Sequence, residues 1–194
     1  MKTVSTCLFA FLFQLTLHAQ DHDSFKFDYL VGFVNKIDGV FSRISDSETQ
    51  KKLKRACSYL ISDLDELQFA TDNLRSMFIR DTADNWLNKR WDYSDQIGII
   101  YSKNRAIYER VYDIRGKFLN TLENEELEMI LNIKNELSSR SSAIDNVERF
   151  LENEKLNTTD KHKILEKLVF IDSKAKEVFL AAHNLRRSVL DKIE

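Results

Sequence analysis

Residues 93–118 read YSDQIGIIYSKNRAIYERVYDIRGKF, and a mostly apolar set of residues recurs there at alternating spacings of four and three. The recurring positions are Tyr93, Ile97, Ile100, Asn104, Ile107, Val111, Ile114 and Phe118. This spacing is typical of one face of a helix that packs nearly parallel or antiparallel to its neighbours. The stretch therefore predicts a long, half-buried α-helix, in which Asn104 is a polar residue that sets the helix register.

The same alternation continues on both sides of this stretch. It predicts five helices, near residues 23–44, 46–80, 85–120, 124–154 and 159–193. Short polar segments separate them, and the one from Ser45 to Glu48 has the Ser-x-x-Glu form of a capping box. Because short loops make consecutive helices antiparallel, the sequence predicts an all-α fold. The expected architecture is an elongated antiparallel up-down helical bundle of four long helices, with a shorter N-terminal helix alongside.

The composition also favours helices. The chain of 194 residues contains no proline and four glycines, whereas average usage would give about ten prolines and about fourteen glycines. A β-sandwich or barrel needs many more turn residues than this. Lys and Arg total 29 against 31 Asp and Glu, a formal net charge of −2. Since the basic excess of nucleic-acid-binding proteins is missing, we expect no nucleic-acid partner.

The first 19 residues have the pattern of a secretory signal peptide. Lys2 precedes an apolar run at residues 7–17, and Ala19 is a small residue before a polar segment. Eleven helical residues rise only about 17 Å, less than the bilayer core of about 30 Å. We therefore expect residues 1–19 to be a signal peptide and residues 20–194 a single helical-bundle domain. The mature chain is expected to be exported, periplasmic or secreted, with no transmembrane segment.

Cys57 would be the single cysteine of the mature chain. One thiol forms no internal disulfide, so the fold must be stabilised by helix packing. Cys57 falls on the apolar face of the second predicted helix, where a small buried hydrophobe is expected. The alternative, in an oxidising compartment, is a disulfide between two chains.

No motif for catalysis or for a cofactor is present in the sequence. Glu-x-x-His pairs, paired cysteines, glycine-rich phosphate loops and the Gly-x-Ser-x-Gly elbow are all missing. His183 is expected to be a half-buried structural histidine. If cleavage follows Ala19, residues 20–22 form the new N-terminus with His22 in third place, and their nitrogen atoms could bind Cu(II) or Ni(II) in square-planar geometry. A frayed polar terminus is expected instead. We therefore expect no enzymatic activity, no cofactor and no metal site.

Residues 51–55, KKLKR, are the strongest basic cluster. They lie near the start of the second predicted helix, where the helix dipole slightly disfavours positive charge. We expect a solvated turn whose charge is balanced by Asp46 and Glu48. The alternative is a contact with anionic lipid or with nucleic acid.

The first predicted helix carries apolar residues over a wide arc, from Phe27 to Ile44. A wide arc predicts burial against two long helices at once. Gly32 and Gly39 fall on the opposite flank, where each glycine costs about 1 kcal/mol relative to alanine. Simple tolerance of that cost is expected. The alternative is a smooth face that lets the backbone of a partner come close.

The third predicted helix carries the candidate functional residues. Beside its apolar face lie two columns of aromatic and cationic side chains: Trp91, Tyr101, Arg105, Tyr108, Tyr112 and Arg115. Tyr, Trp and Arg are enriched in binding hot spots because they bury large areas and keep a polar group. This flank is therefore the candidate contact surface for a protein partner. The alternative is that a second neighbouring helix covers it.

Together these features predict an exported, non-enzymatic helical-bundle protein that acts through protein–protein contacts. A second function class stays open, namely a carrier or sensor that binds a small apolar ligand between helices. A carrier would enclose an apolar cavity, whereas an interaction protein would combine a filled core with a conspicuous surface patch.

Overall fold

The computed structural model describes residues 27–81, 83–137 and 158–187, and these residues are helical apart from short connections. The helices are α1 (Asp28–Arg43), α2 (Ser47–Arg80), α3 (Ala83–Phe118), α4 (described over 124–137) and α5 (Thr158–Leu185). No strand occurs within those ranges, which confirms the predicted all-α fold. The predicted signal peptide, residues 1–19, and the predicted N-terminal copper or nickel site lie outside the described residues.

The start of α2 differs from the prediction by one residue. Asp46, rather than Ser45, is the N-cap, and its carboxylate accepts a hydrogen bond of 2.7 Å from the backbone amide of Thr49. The Thr49 hydroxyl donates to the same oxygen. An Asp carboxylate is a strong N-cap acceptor and also suits the positive end of the helix dipole. The predicted capping box from Ser45 to Glu48 is therefore wrong.

The apolar arc of α1 is buried, as predicted. Its buried members are Phe27, Leu30, Phe33, Val34, Ile37, Val40, Phe41 and Ile44. The helix packs against α5 and is also anchored to α4 by polar contacts. Contact with two neighbours explains why the apolar arc is wider than a single packing stripe.

Two buried carboxylates of α4 hold the ends of α1. The backbone amides of Tyr29 and Leu30 donate to the carboxylate of Glu136 at 2.7 and 3.0 Å, which satisfies amides that a helix start leaves unpaired. Near the other end of α1, Arg43 donates to both oxygens of Glu126 at 2.6 Å. Since the start of α1 meets the later residues of α4 and its end meets the earlier ones, the two helices run antiparallel.

The two glycines of α1 have different surroundings. Gly39 is exposed, and a Cβ added there would lie 3.6 Å from Nη1 of Arg43. A Cβ added at Gly32 would lie 3.3 Å from Cε of Met129 in α4. The prediction that both glycines face away from the packed side is therefore wrong for Gly32, because α4 packs against that flank.

Polar contacts also fix the direction of α2 relative to α3. The buried carboxylate of Asp63 in α2 accepts from Lys103 at 3.2 Å, and Asp81, just after α2, accepts from Tyr93 at 2.9 Å. Asp63, in the middle of α2, thus meets a later residue of α3 than Asp81 does, so α2 and α3 run antiparallel. Helices α2 and α5 also meet through ion pairs, and in the first of them Arg75 lies 3.0 Å from Asp172.

A second contact joins Asp65 of α2 to Arg186, directly after α5, at 3.4 Å. The antiparallel direction is thus fixed for three pairs of helices, while the up-down order of the whole chain stays a prediction. Buried hydrophobic side chains from all five helices belong to one continuous cluster. That shared core sets the rotation of each helix and therefore decides which flank of α3 faces outward.

Candidate functional site

The predicted contact surface lies on one flank of α3. Ile107, Val111 and Ile114 are buried and fix the face of α3 that meets the core. A step of seven residues is almost two helical turns, so Trp91, Arg105 and Tyr112 form one column along α3. Tyr101, Tyr108 and Arg115 form a second column, which lies closer to the buried face.

The structure separates these two columns by exposure. Trp91 is 69% exposed, Tyr112 is 51% exposed and the side chain of Arg105 is 82% exposed. Tyr101, Tyr108 and Arg115 are half-buried, and the two tyrosines pack against the hydrophobic core. The outer column is therefore accessible, and the inner column supports it from below.

Tyr108 and Arg115 each contact Tyr112, and the three residues are called here the Tyr112 cluster. The ring centroids of Tyr108 and Tyr112 are 5.9 Å apart with an interplanar angle of 35°. The guanidinium carbon of Arg115 lies 5.6 Å from the centroid of the Tyr112 ring, within the range of cation–π attraction. An exposed aromatic ring is thus held by a half-buried ring on one side and by a cation on the other.

The other predicted residues do not join this cluster. Trp91 precedes Tyr112 by 21 positions, which at 1.5 Å per residue is about 32 Å along the helix axis. Arg105 forms an ion pair with Glu109, one helical turn later, at 2.8 Å. The predicted surface therefore consists of the Tyr112 cluster at one end of α3 and the exposed Trp91 nearer its start, rather than one compact patch.

Buried carboxylates are the usual candidates for catalysis, and each described one is held in a structural contact. Asp63, Glu126 and Glu136 bind the cations or backbone amides given above. Asp172 lies 3.0 Å from Arg75 and 2.9 Å from Lys176. Asp72 pairs with the same two cations, so Asp72 and Asp172 belong to one ion-pair network. Such contacts fix helices against one another.

Asp81 is the most constrained of these carboxylates. It accepts hydrogen bonds from Lys89 at 2.7 Å and from Tyr93 at 2.9 Å. Burial alone would raise the pKa of Asp81, but these hydrogen bonds and the nearby positive charges outweigh burial and lower it. Burial and the hydrogen bond to Asp81 raise the pKa of Tyr93. Asp81 therefore stays ionised and fastens the turn between α2 and α3.

Cys57 is fully buried, and burial raises the pKa of its thiol to about 12. A thiol with so high a pKa is protonated at neutral pH and is a poor nucleophile. The prediction of a small buried hydrophobe is confirmed. The alternative of a disulfide between two chains is contradicted, because a buried sulfur cannot reach another molecule.

The two described histidines occupy different environments. His183 is half-buried and packs edge-on against Phe179, with ring centroids 4.5 Å apart, as predicted for a structural histidine. His162 is exposed and lies 3.3 Å from Glu166. Among the described residues, no group of three or more His, Cys, Asp or Glu side chains is arranged to hold a metal ion.

The basic cluster at residues 51–55 contributes to a surface that the sequence did not indicate. Lys52 and Arg55 line a groove between α2 and α3, together with Tyr59 and Arg110. The prediction of a solvated turn missed this groove, because Tyr59 and Arg110 lie 51 positions apart and only the pairing of α2 with α3 brings them together. The usable signal was the column of Lys103, Arg110 and Lys117 at seven-residue spacing, facing the same side as the basic cluster.

Within the described ranges, no helix combines the length and the apolar character that crossing a membrane requires. No protein-family model matches the chain, and neither a curated protein nor a solved structure is detectably similar to it.

Proposed function

We propose that this chain is an exported, non-enzymatic protein that acts by binding another protein through the outer flank of α3. The observation that carries the proposal is the Tyr112 cluster, in which an exposed ring rests on Tyr108 and Arg115. Binding hot spots are rich in such residues, and they lie on rigid supports surrounded by weaker contacts.

The support of the Tyr112 ring matters as much as its exposure. A side chain that is already ordered loses little conformational freedom on binding, whereas ordering a mobile one costs about 0.5–1.5 kcal/mol. Tyr108 is anchored in the core and limits the positions that Tyr112 can take. A partner that covers this ring therefore gains apolar contact without first having to order it.

The chemistry of the cluster also narrows the partner surface. Arg115 is half-buried, and its guanidinium lies beside the exposed ring of Tyr112. An apolar or aromatic surface with a carboxylate at its edge would satisfy both Tyr112 and Arg115. Trp91 lies about 32 Å from Tyr112 toward the start of α3. It is the second anchor for a partner that lies along the helix.

The test compares capture of a partner by four forms of the protein. Wild type, Tyr112→Ala, Trp91→Ala and the control Phe69→Ala are used as bait in extracts of the native organism. Phe69 lies on α2 and is 65% exposed, so the control removes an exposed aromatic ring away from α3. We expect one partner to be retained by wild type and by the control, and to be weakened by about 1–2 kcal/mol in each α3 variant.

That change corresponds to a loss of affinity of roughly 5- to 30-fold, which titration with the purified partner would measure. Equal capture by all four forms would refute a role for the α3 flank. The export half of the proposal is tested separately by cell fractionation and by sequencing the N-terminus of the mature chain, where recovery of an uncleaved cytoplasmic form would count against it.

The alternative of a carrier for a small apolar ligand stays a prediction. The continuous cluster of packed hydrophobic side chains among the described residues supports the contact role over this alternative. A rise in melting temperature with apolar compounds, in the absence of any protein partner, would favour the carrier.

A further inference from the structure

A groove of about 660 Å³ opens between the first half of α2 and the last part of α3. Its nine lining residues include four cations, Lys52, Arg55, Arg110 and Lys117, and one carboxylate, Asp113. Lys117 pairs with Asp113 at 2.7 Å and Lys52 lies 4.0 Å from Glu48, so the uncompensated positive charge of the groove is mainly that of Arg55 and Arg110, in a chain whose formal net charge is −2. The groove thus concentrates positive charge on an otherwise slightly acidic protein, as a site for anions does.

Tyr59 brings two of these cations together. The guanidinium carbons of Arg55 and Arg110 lie 5.8 and 5.1 Å from the centroid of its ring, within the range of cation–π attraction. Nε of Arg55 also donates to the Tyr59 hydroxyl at 3.2 Å, and this hydrogen bond lowers the pKa of Tyr59. One ring therefore contacts two like charges from different helices, and an anion that reaches both guanidinium groups would offset their repulsion.

The protein's own carboxylates neutralise these two arginines incompletely. Nε of Arg110 reaches Asp63 only at 3.4 Å, and Asp63 also accepts from Lys103 at 3.2 Å. Across the described parts of the chain, Arg55 pairs with the hydroxyl of Tyr59 and not with a carboxylate. Both guanidinium groups therefore retain donors for the paired hydrogen bonds that arginine makes to phosphate or carboxylate.

Apolar surface lines the rest of the groove. Tyr59 is 46% exposed, Ala56 is half-buried, and Phe118 reaches the groove from the hydrophobic core. The volume falls within the range of about 300–1,000 Å³ that is typical of small-molecule sites. The groove therefore offers positive charge at its arginines and apolar surface at Tyr59, which suits a ligand with both an acidic and an apolar group.

We propose that this groove binds a soluble small molecule in which a flat apolar group carries a phosphate or carboxylate. The acidic group pairs with Arg55 and Arg110, while the apolar group lies against the exposed ring of Tyr59. A concave site between two helices matches a molecule that enters it better than the flat surface of a bilayer. The groove lies on the flank of α3 opposite Tyr112, so this proposal is independent of the protein-binding function proposed above.

The test uses 1-naphthyl phosphate as the probe and isothermal titration calorimetry as the measurement. We expect saturable binding to wild type at one site per chain. Arg55→Gln and Arg110→Gln should each weaken it at least about tenfold, because each removes a charged pair to the phosphate. Arg105→Gln is the matched control, since Arg105 is an exposed arginine in an ion pair on the opposite flank of α3, and it should bind the probe as wild type does.

Two further probes separate the parts of the ligand. Inorganic phosphate and 1-naphthol should each bind at least about tenfold more weakly than naphthyl phosphate, since each lacks one of the two groups. Naphthol binding as tightly as naphthyl phosphate, or binding that is unchanged in both arginine variants, would overturn the proposal. Circular dichroism and melting temperature of each variant confirm that it is folded as wild type is.

A vesicle experiment distinguishes a soluble ligand from a membrane. Co-sedimentation is measured with vesicles of phosphatidylglycerol and with vesicles of phosphatidylcholine. Binding to the anionic vesicles that is lost in Arg55→Gln and Arg110→Gln, with no binding of naphthyl phosphate, would overturn the soluble-ligand proposal in favour of a lipid surface. Binding of naphthyl phosphate without sedimentation on either kind of vesicle supports it.

Discussion

Asn104 is the polar residue on the apolar seam of α3, and the structure buries it. Neither its side-chain oxygen nor its side-chain nitrogen has a hydrogen-bond partner among the described residues. A buried polar group without a partner lowers stability by about 1–3 kcal/mol. Asn104 therefore reduces stability where a leucine would not, and a polar residue at such a position is known to fix helix register.

Replacing Asn104 by leucine tests this directly, because the two side chains have the same branching and the same number of heavy atoms. We expect Asn104→Leu to raise the free energy of unfolding by about 1–3 kcal/mol, through removal of the unpaired polar atoms. Urea denaturation is the measurement. Asn35→Leu, at an exposed position of α1, is the control for the helix propensity of leucine. Destabilisation by Asn104→Leu, or no change, would contradict the interpretation.

Sequence reasoning is strongest at this scale for residues whose environment follows from helical spacing. The positions of Cys57 and Asn104 on apolar seams predicted their burial, and both are buried. Spacing does not reveal which polar groups meet across helices. The missing partners of Asn104 and the approach of Arg110 to the Tyr59 ring depend on rotations and offsets that only the assembled core determines.

At the scale of one element, α1 shows how a neighbour changes the effect of a glycine. Gly39 has room for a side chain, whereas at Gly32 a Cβ would press on the flexible end of Met129 at 3.3 Å. Alanine in place of an exposed helical glycine gains about 1 kcal/mol. At Gly32 that gain is offset by the shift forced on Met129.

We therefore expect Gly39→Ala to raise the free energy of unfolding by about 1 kcal/mol, and Gly32→Ala to raise it by less or to lower it. Gly98→Ala in α3 is the matched control, because an added Cβ there has no neighbour within 4 Å, and it should resemble Gly39→Ala. Urea denaturation of the three variants gives the comparison. Equal gains at Gly32 and Gly39 would show that α4 does not pack closely on α1.

The ends of the helices were predictable to within a few residues where polar segments interrupt the apolar pattern. The prediction of 46–80 for α2 compares with Ser47–Arg80, and that of 85–120 for α3 with Ala83–Phe118. The cap of α2 was wrong by one residue, since Ser45 and Asp46 are both good N-caps and pattern alone does not rank them. The exposure of Tyr112 beside a half-buried Tyr108 could not be predicted without knowing the rotation of α3. A column of aromatic residues has the same sequence pattern whether a neighbouring helix covers it or not.

At the scale of the whole molecule, α3 separates two surfaces of different chemistry. The Tyr112 cluster lies on one flank and the basic groove on the other, and the shared core keeps them apart. A chain with a net charge of −2 can carry a basic groove because several of its carboxylates bind cations elsewhere, in cross-helix contacts such as Glu126 with Arg43 and Asp172 with Arg75. Composition predicted the absence of an overall basic excess but not this local one.

The stability of the bundle depends on pH through Asp81, whose carboxylate accepts hydrogen bonds from Lys89 and Tyr93 of α3. Its pKa lies below the ordinary value of 3.8, because hydrogen bonds from Lys89 and Tyr93 outweigh burial. As the pH falls, the unfolded chain takes up a proton on this residue before the folded one does. The contribution of Asp81 is therefore fully present above the unfolded pKa of about 3.9 and is lost as the pH falls through the lower folded pKa.

We expect Asp81→Asn to be less stable than wild type at pH 7 by about 1–3 kcal/mol, because the variant lacks the charge that holds Lys89. The difference should shrink as the pH is lowered below about 4, where wild type begins to lose the same charge. Urea denaturation at steps from pH 7 to about pH 2.5 measures both trends. Asp113→Asn removes a carboxylate from an exposed pair with Lys117 and should change stability by less than about 1 kcal/mol. A difference between Asp81→Asn and wild type that stays constant down to the lowest pH would mean that the charge of Asp81 does not stabilise the turn between α2 and α3.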